Sequence, residues 1–173
     1  MGLQTLDDTC EFCGYALVPP YGPPKADILL VMDVPQHTDV MEGVPMSGTW
    51  GDIIRQELSR AGVTMNTCRR TTLWRHTKPK DKGKEKETAQ CYEQSVTLLM
   101  EEIIHRKFVF LMGSEVVMQV LGAPVASVSG LTMTTNGVLT IPTVSPAAVE
   151  YSFGEFRLAA EKFGRLIREK RYE

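Results

Sequence analysis

ADILLVMDV, residues Ala26 to Val34, is the stretch that decides the fold. Its near-continuous run of apolar, largely β-preferring side chains lacks the alternation of a strand with one wet face. It therefore predicts a strand buried on both faces of a sheet, ending at Asp33. Downstream, Trp50, Ile53, Ile54, Leu58 and Ala61 fall on one face at helical spacing, which predicts a helix from Ser47 to Ala61 stopped by Gly62. A second strand fits Arg70 to Trp74. A polar, lysine-rich loop (residues 77 to 88) leads to a long helix from Ala89 to Ile104 with Cys91 in its first turns. Phe108 to Met112 reads as a third strand, Gly113 and Ser114 open a short helix, and Val138 to Val144 supplies a fourth strand. Pro146 starts a helical region that closes with the amphipathic Glu155 to Lys170. Strands alternating with helices predict a parallel α/β sheet. Trp50, Trp74, Phe156 and Phe163 are expected in its core. Residues 1 to 25 precede the first strand as a loop-like arm, because Pro19, Pro20, Pro23 and Pro24 exclude helix and central strand alike.

Composition sets the outer bounds. A chain of 173 residues, 43% apolar and 23% charged, is expected to fold as one globular domain. With 19 Lys+Arg against 21 Asp+Glu and a formal charge of −2, it lacks the global basic field of a purely electrostatic nucleic-acid binder. Any DNA contact must be local. No apolar run approaches the roughly 20 residues that span a bilayer, and Met1 to Leu6 carries no signal-peptide pattern. Gly2 does not make a myristoylation signal, because Leu6 stands where Ser or Thr is needed. The expectation is a soluble, cytoplasmic protein without a membrane partner.

Four cysteines in such a chain argue for metal or cluster binding rather than disulfides. Cys10 and Cys13 form a Cys-x-x-Cys pair, whose spacing lets both sulfurs face one metal. Two tetrads compete to complete it, one with Cys68 and Cys91 and one with His76 and Cys91. Imidazole ligates zinc or iron, so chemistry alone does not choose between them.

The stretch ADILLVMDVPQHTDVMEGVPMSGTWGDII (residues 26 to 54) resembles, without a gap, the first motif block of the family 4 uracil-DNA glycosylases, roughly ADILFVGEAPGxxEDxxGxPFVGxAGxLL. The match keeps Pro35, Gly43, Pro45 and Gly48. TTLWRHTKP (Thr71 to Pro79) is similar to the family's TNVVKCRPP, FVFLMGSEVVMQVLG (Phe108 to Gly122) to its VxxLGxxAxxxLLG, and IPTVSPAAV (Ile141 to Val149) to its TYHPAAL. The resemblance implies a three-layer α/β/α sandwich with a four-stranded, mostly parallel central sheet. It also implies a structural [4Fe-4S] cluster on Cys10, Cys13, His76 and Cys91, with zinc on the same ligands as the alternative. His76 stands where family 4 has its third cysteine, and the covalently trapping X-type enzymes also carry a histidine there. Their KRRIH insertion, whose histidine attacks the sugar, has no counterpart in KDKGKEKE (Lys80 to Glu87).

The register assigns roles residue by residue. A glycosylase must extrude a nucleotide, read and stack its base, and stabilise a cationic sugar and an anionic leaving base. Asp33 takes the place of the acidic residue that orients water, at the carboxyl end of a strand where open α/β sheets place ligands. Pro35, Met46 and Thr72 fall in the base pocket. Met46 replaces the stacking aromatic, and Thr72 replaces the asparagine whose amide offers paired donor and acceptor. Ser145 replaces the histidine that donates to the leaving base, while Ser145-Pro146 is also an ordinary helix start. His37, four residues after Asp33, is a candidate compensating group. Gly113, Ser114, Pro146, Lys78 and Lys80 are expected to meet DNA phosphates.

The resulting expectation is a DNA-binding superfamily protein with lost or weakened uracil excision. It would act on single- or double-stranded DNA in repair or replication, with a replication or repair protein as a possible partner. Its rivals are a working glycosylase or other base-modifying enzyme with a reshaped pocket, and a protein-interaction module without DNA binding.

Overall fold

The computed structural model describes residues 9–171. The first eight residues of the expected arm, which include Gly2 and the leader region considered above, lie outside the described residues. The sheet is built on β1 (Ile28–Met32), which pairs in parallel with β2 (Arg69–Thr72) on one side and β3 (Phe108–Met112) on the other. β5 (Val138–Thr143) continues the parallel run beside β3. A fifth strand, β4 (Met133–Thr135), closes the edge antiparallel to β5, in the order β2-β1-β3-β5-β4.

That fifth strand corrects the expected four. Asn136 and Gly137 both sit at positive φ, 49° and 81°, the two-residue turn that matches the twist of a hairpin. Asn-Gly between two short β-preferring runs was the sequence signal for it.

Alternation along the strands explains why the sheet takes helices on both faces. Ile28, Leu30 and Met32, with Phe108, Phe110 and Met112, point into one apolar cluster. Leu29, Val31, Val109 and Leu111 point into the other. The first is covered by α2 (Thr49–Arg60) through Ile54 and Leu58, and by α6 (Val149–Arg171) through Phe156, Ala159, Phe163 and Ile167. Phe110 and Phe163 stack with ring centroids 4.8 Å apart. The second face is covered by α3 (Glu85–Ile104), α4 (Ser114–Leu121) and the short α5 (Val125–Val128). Trp74, Phe156 and Phe163 are buried as expected, and Trp50 packs half-buried against the first cluster.

Some elements differ from the sequence expectation. α3 begins at Glu85 rather than Ala89, so the lysine-rich loop is shorter than residues 77 to 88. Glu85 and Glu87 occupy the first turn, where carboxylates meet the positive end of the helix dipole. The segment after β1 is not all loop, because α1 (His37–Glu42) forms there on a capping box between Gln36 and Asp39. β2 runs from Arg69 and stops at Thr72, where the Thr72 hydroxyl turns to the carbonyl of Trp74. Across β2 and α3, Glu102 takes hydrogen bonds from Arg69 and Arg106, and Arg106 also donates to the carbonyls of Pro24 and Ala26. This network fastens the arm and the edge strand to the helical layer.

Candidate functional site

The arm folds over the face carrying α3. The amide of Cys10 donates to the carbonyl of Tyr15, and Gly14, at φ 77°, donates back to the carbonyl of Cys10. This tight turn puts both sulfurs of the Cys-x-x-Cys pair on one side. Cys91 rises from the buried stripe of α3 to meet them, and His76 arrives from the segment that follows β2. The Cys10 and Cys91 sulfurs are 3.5 Å apart, and Cys13 Sγ is 3.6 Å from His76 Nε2. All four ligand atoms lie within 4.8 Å of one another. His76 Nδ1 lies 2.7 Å from the carbonyl oxygen of Thr77. A carbonyl only accepts, so Nδ1 carries the proton and the Nε2 lone pair is left facing the thiols, the tautomer a metal requires.

Burial opposes ionisation of Cys10, yet amide N–H groups of Cys13 and Phe12, together with the neighbouring thiols, hold its pKa below the ordinary value. Cys91 goes the other way, pushed up to about 12 by burial and by the two sulfurs beside it. Three thiols crowded this closely lose their protons together only against a cation. The donor set of three soft sulfurs and one imidazole suits zinc or an iron–sulfur cluster. A cavity of about 170 Å³ adjoins it, lined by Cys10, His76, Cys91, Val18 and Arg75.

The same fold removes Cys68 from the competition. Cys68 lies in the apolar cluster on the opposite face of the sheet, with its sulfur 3.5 Å from the carbonyl of Thr64 and its pKa raised to about 11 by burial. The sequence placed both candidates within one short stretch. The 3₁₀ turn that ends at Cys68 before β2 and the irregular segment that carries His76 after it separate them.

At the carboxyl end of β1, Asp33 is half-buried and accepts a 2.8 Å hydrogen bond from the amide of Val116 in the first turn of α4. Burial raises its pKa, partly offset by the Val116 amide and the charge of Lys78. Gly113 at φ 144° makes room, since a Cβ there would overlap the Asp33 carboxylate. Asp33 thus caps α4. The Gly113 amide, expected to face a phosphate, instead donates to the carbonyl of Thr143, so of the expected pair only Ser114 is exposed. Pro146 is buried in a 3₁₀ turn, Pro146–Ala148, and Ser145 Oγ accepts from the amide of Ala147 as the cap of that turn.

The base-pocket positions are drawn inward. Met46 is fully buried at φ 59°, in a loop tied down by Asp39, which accepts from the amide and hydroxyl of Ser47 and the amide of Gln36. Thr72 is fully buried with its hydroxyl engaged by Trp74 O. His37 is exposed on the first turn of α1. What remains open beside Asp33 is a cleft of about 520 Å³ lined by Tyr15, Val34, Pro35, Thr77, Lys78 and Lys80. Lys78 is paired with Glu115, whose other oxygen takes the indole N–H of Trp74. Tyr15 is the residue the sequence reading missed. Its ring packs edge-on to His76, 5.7 Å between centroids, and so joins the group of Cys10, Cys13, His76 and Cys91 to the cleft. An aromatic two places after Cys13 was the available signal.

Residues 19–166 match the family model for the uracil DNA glycosylase superfamily. No curated protein matches the chain.

Proposed function

Because the chain belongs to the uracil DNA glycosylase superfamily, we propose that it is a DNA-binding member with lost or much weakened uracil excision, acting in DNA repair or replication. One observation carries this reading. The two positions where the resembling enzymes read and stack uracil are both internal, with the Thr72 hydroxyl engaged by Trp74 O and the Met46 side chain closed into the core. A hydroxyl already donating to a carbonyl cannot supply the paired donor and acceptor of an amide, and a buried methionine offers no open stacking face. The cleft of Tyr15, Pro35, Lys78 and Lys80 is where DNA would lie in this reading, with phosphates on the lysines and an aromatic ring within reach of a base.

Cys10, Cys13, His76 and Cys91 would hold a [4Fe-4S] cluster of the family 4 type. The family resemblance carries the cluster reading; the ligand atoms, all within 4.8 Å of one another, stand at the spacing of four donors around a single zinc, and a cubane, each of whose ligands binds a different iron, would need them to spread. When bound, the group supplies a structural cross-link between the arm, the segment after β2, and α3. The chain's own residues supply the rest: Nδ1 of His76 fixed on Thr77 O, and Tyr15 packed edge-on against the His76 ring.

A second reading, a working glycosylase with a rebuilt pocket, is favoured by Asp33. Its Oδ1 is held by Val116, while Oδ2 has no hydrogen-bond partner among the described residues and in this reading would orient a water. The two readings part in a base-release assay of metal-loaded protein on single- and double-stranded oligonucleotides containing uracil, run beside DNA-binding measurements and an active uracil-DNA glycosylase. DNA binding without release is expected. Efficient release would overturn the proposal in favour of the second reading, and absence of DNA binding at low salt would overturn both.

A further inference from the structure

At the amino-terminal end of β2, the end away from Thr72, the arm crosses the edge strand at Tyr21. The Tyr21 amide donates to the carbonyl of Arg70 at 2.9 Å, and the Arg70 amide donates to the carbonyl of Tyr21 at 2.7 Å. Gly22 allows this close crossing at φ 106°, since a Cβ there would overlap the carbonyl of Cys68. The ring of Tyr21 then lies over the Arg70 guanidinium, 4.8 Å from its centroid. Pro20, Tyr21, Gly22, Pro23, Asn66, Arg69 and Arg70 line an open pocket of about 580 Å³ at this place.

Arg70 is only 6% exposed, yet it has no carboxylate partner among the described residues, and its Nε is buried without a hydrogen-bond acceptor. The acid that faces it is engaged elsewhere: Asp39 is saturated by Gln36 and Ser47. The other charged neighbour, Arg55, is itself a cation, and burial together with Arg55 lowers the Arg70 pKa. A buried charge is normally paired, and a tyrosine face contributes only about 0.5–2 kcal/mol toward that.

The geometry points to a phosphate group as the missing partner, seated in this pocket on the planar fork of Arg70. A guanidinium matches two phosphate oxygens with parallel N–H bonds, and Asn66 lines the same pocket with an exposed amide side chain. The phosphate could be free or carried by a nucleotide or nucleic-acid strand, since all present the same oxygens. This site depends on neither the metal centre nor the Asp33 cleft.

The test is thermal unfolding of the full chain, with its metal centre intact, against inorganic phosphate at constant ionic strength. Wild type is expected to gain stability with phosphate. Arg70→Met is expected to lose that response while melting at or above the wild-type temperature in phosphate-free buffer, because the unpaired charge is gone. Arg70→Lys, which keeps charge without the fork, is expected to bind phosphate about tenfold more weakly. No phosphate response in wild type, or an equal response in Arg70→Met, would overturn the proposal. Should Arg70→Met not fold, the Nε–H resonance of Arg70 in the wild-type nitrogen-15 spectrum decides, since it must shift on phosphate addition. A parallel titration with oligo-dT identifies the source. Several-fold weaker binding by Arg70→Lys assigns the pocket to a nucleic-acid backbone, and unchanged binding assigns it to a free or mononucleotide phosphate.

Discussion

The carboxylate of Asp33 accepts a 2.8 Å hydrogen bond from the amide of Val116, a residue 83 positions away in sequence. An acid at the end of one strand thereby caps the helix that follows another. Its negative charge sits at the amino-terminal end of α4, where the helix dipole favours it. One side chain is structural and, in the second reading above, chemical at once.

Gly113→Ala tests that arrangement. A methyl group would meet the Asp33 carboxylate, and φ 144° is strained for any residue with a Cβ. The substitution is expected to cost at least about 2 kcal/mol, measured as a lower denaturant midpoint with an unchanged slope.

Asp33→Asn should separate fold from chemistry. The amide oxygen can still accept from Val116, and the half-buried charge is removed. Because burial raises the Asp33 pKa in the folded protein, its ionisation works against folding, and stability falls as pH rises from the ordinary carboxylate range through the raised value. The variant is expected to lose this pH dependence and to be at least as stable as wild type at pH 7. If wild type releases any base, that rate should fall at least about a hundredfold, as read by product chromatography.

The metal-ligand set predicts unequal effects of two neighbouring substitutions. His76→Ala is expected to lose most bound metal, and Cys68→Ser to retain it, when iron, acid-labile sulfide and zinc are measured on anaerobically purified protein. Metal loss in the Cys68 variant with retention in the His76 variant would reverse the assignment. Stoichiometric zinc without sulfide would replace the cluster by a single ion.

Glu102 sets a pH dependence of the opposite sign to Asp33. Burial alone would raise its pKa, but hydrogen bonds and charge from Arg69 and Arg106 outweigh burial and lower it. A carboxylate depressed in the folded state contributes stability that is complete above its unfolded value of about 4.3 and is lost as pH falls through the folded value. Glu102→Gln is expected to cost about 2 kcal/mol at pH 7 and to flatten the stability profile below pH 5, seen in urea titrations across that range.

Much of the sheet was legible in ADILLVMDV and FVFLM, because a strand covered on both faces must be apolar at every position and few other structures need that. The hairpin of β4 was written in Asn136-Gly137 but fell outside a reading organised around parallel strands. The Cys-x-x-Cys pair was legible because its chemistry is local.

What sequence alone determined was the set of parts: buried strands, amphipathic helices, a chelating pair, an acid at a strand end. Tertiary structure decided which parts meet. It sent Cys68 to one face of the sheet while gathering His76 with Cys10, Cys13 and Cys91 on the other, closed Met46 and Thr72 into the interior, and left Arg70 buried without an acid. The physical reason is that Cys68 ends the 3₁₀ turn before β2 and His76 lies in the irregular segment after it, so the face each one meets is set by the path of the chain into and out of the strand and not by the strand's own pattern. Partners for a ligand atom or a charge come from segments tens of residues away, whose packing no local pattern specifies.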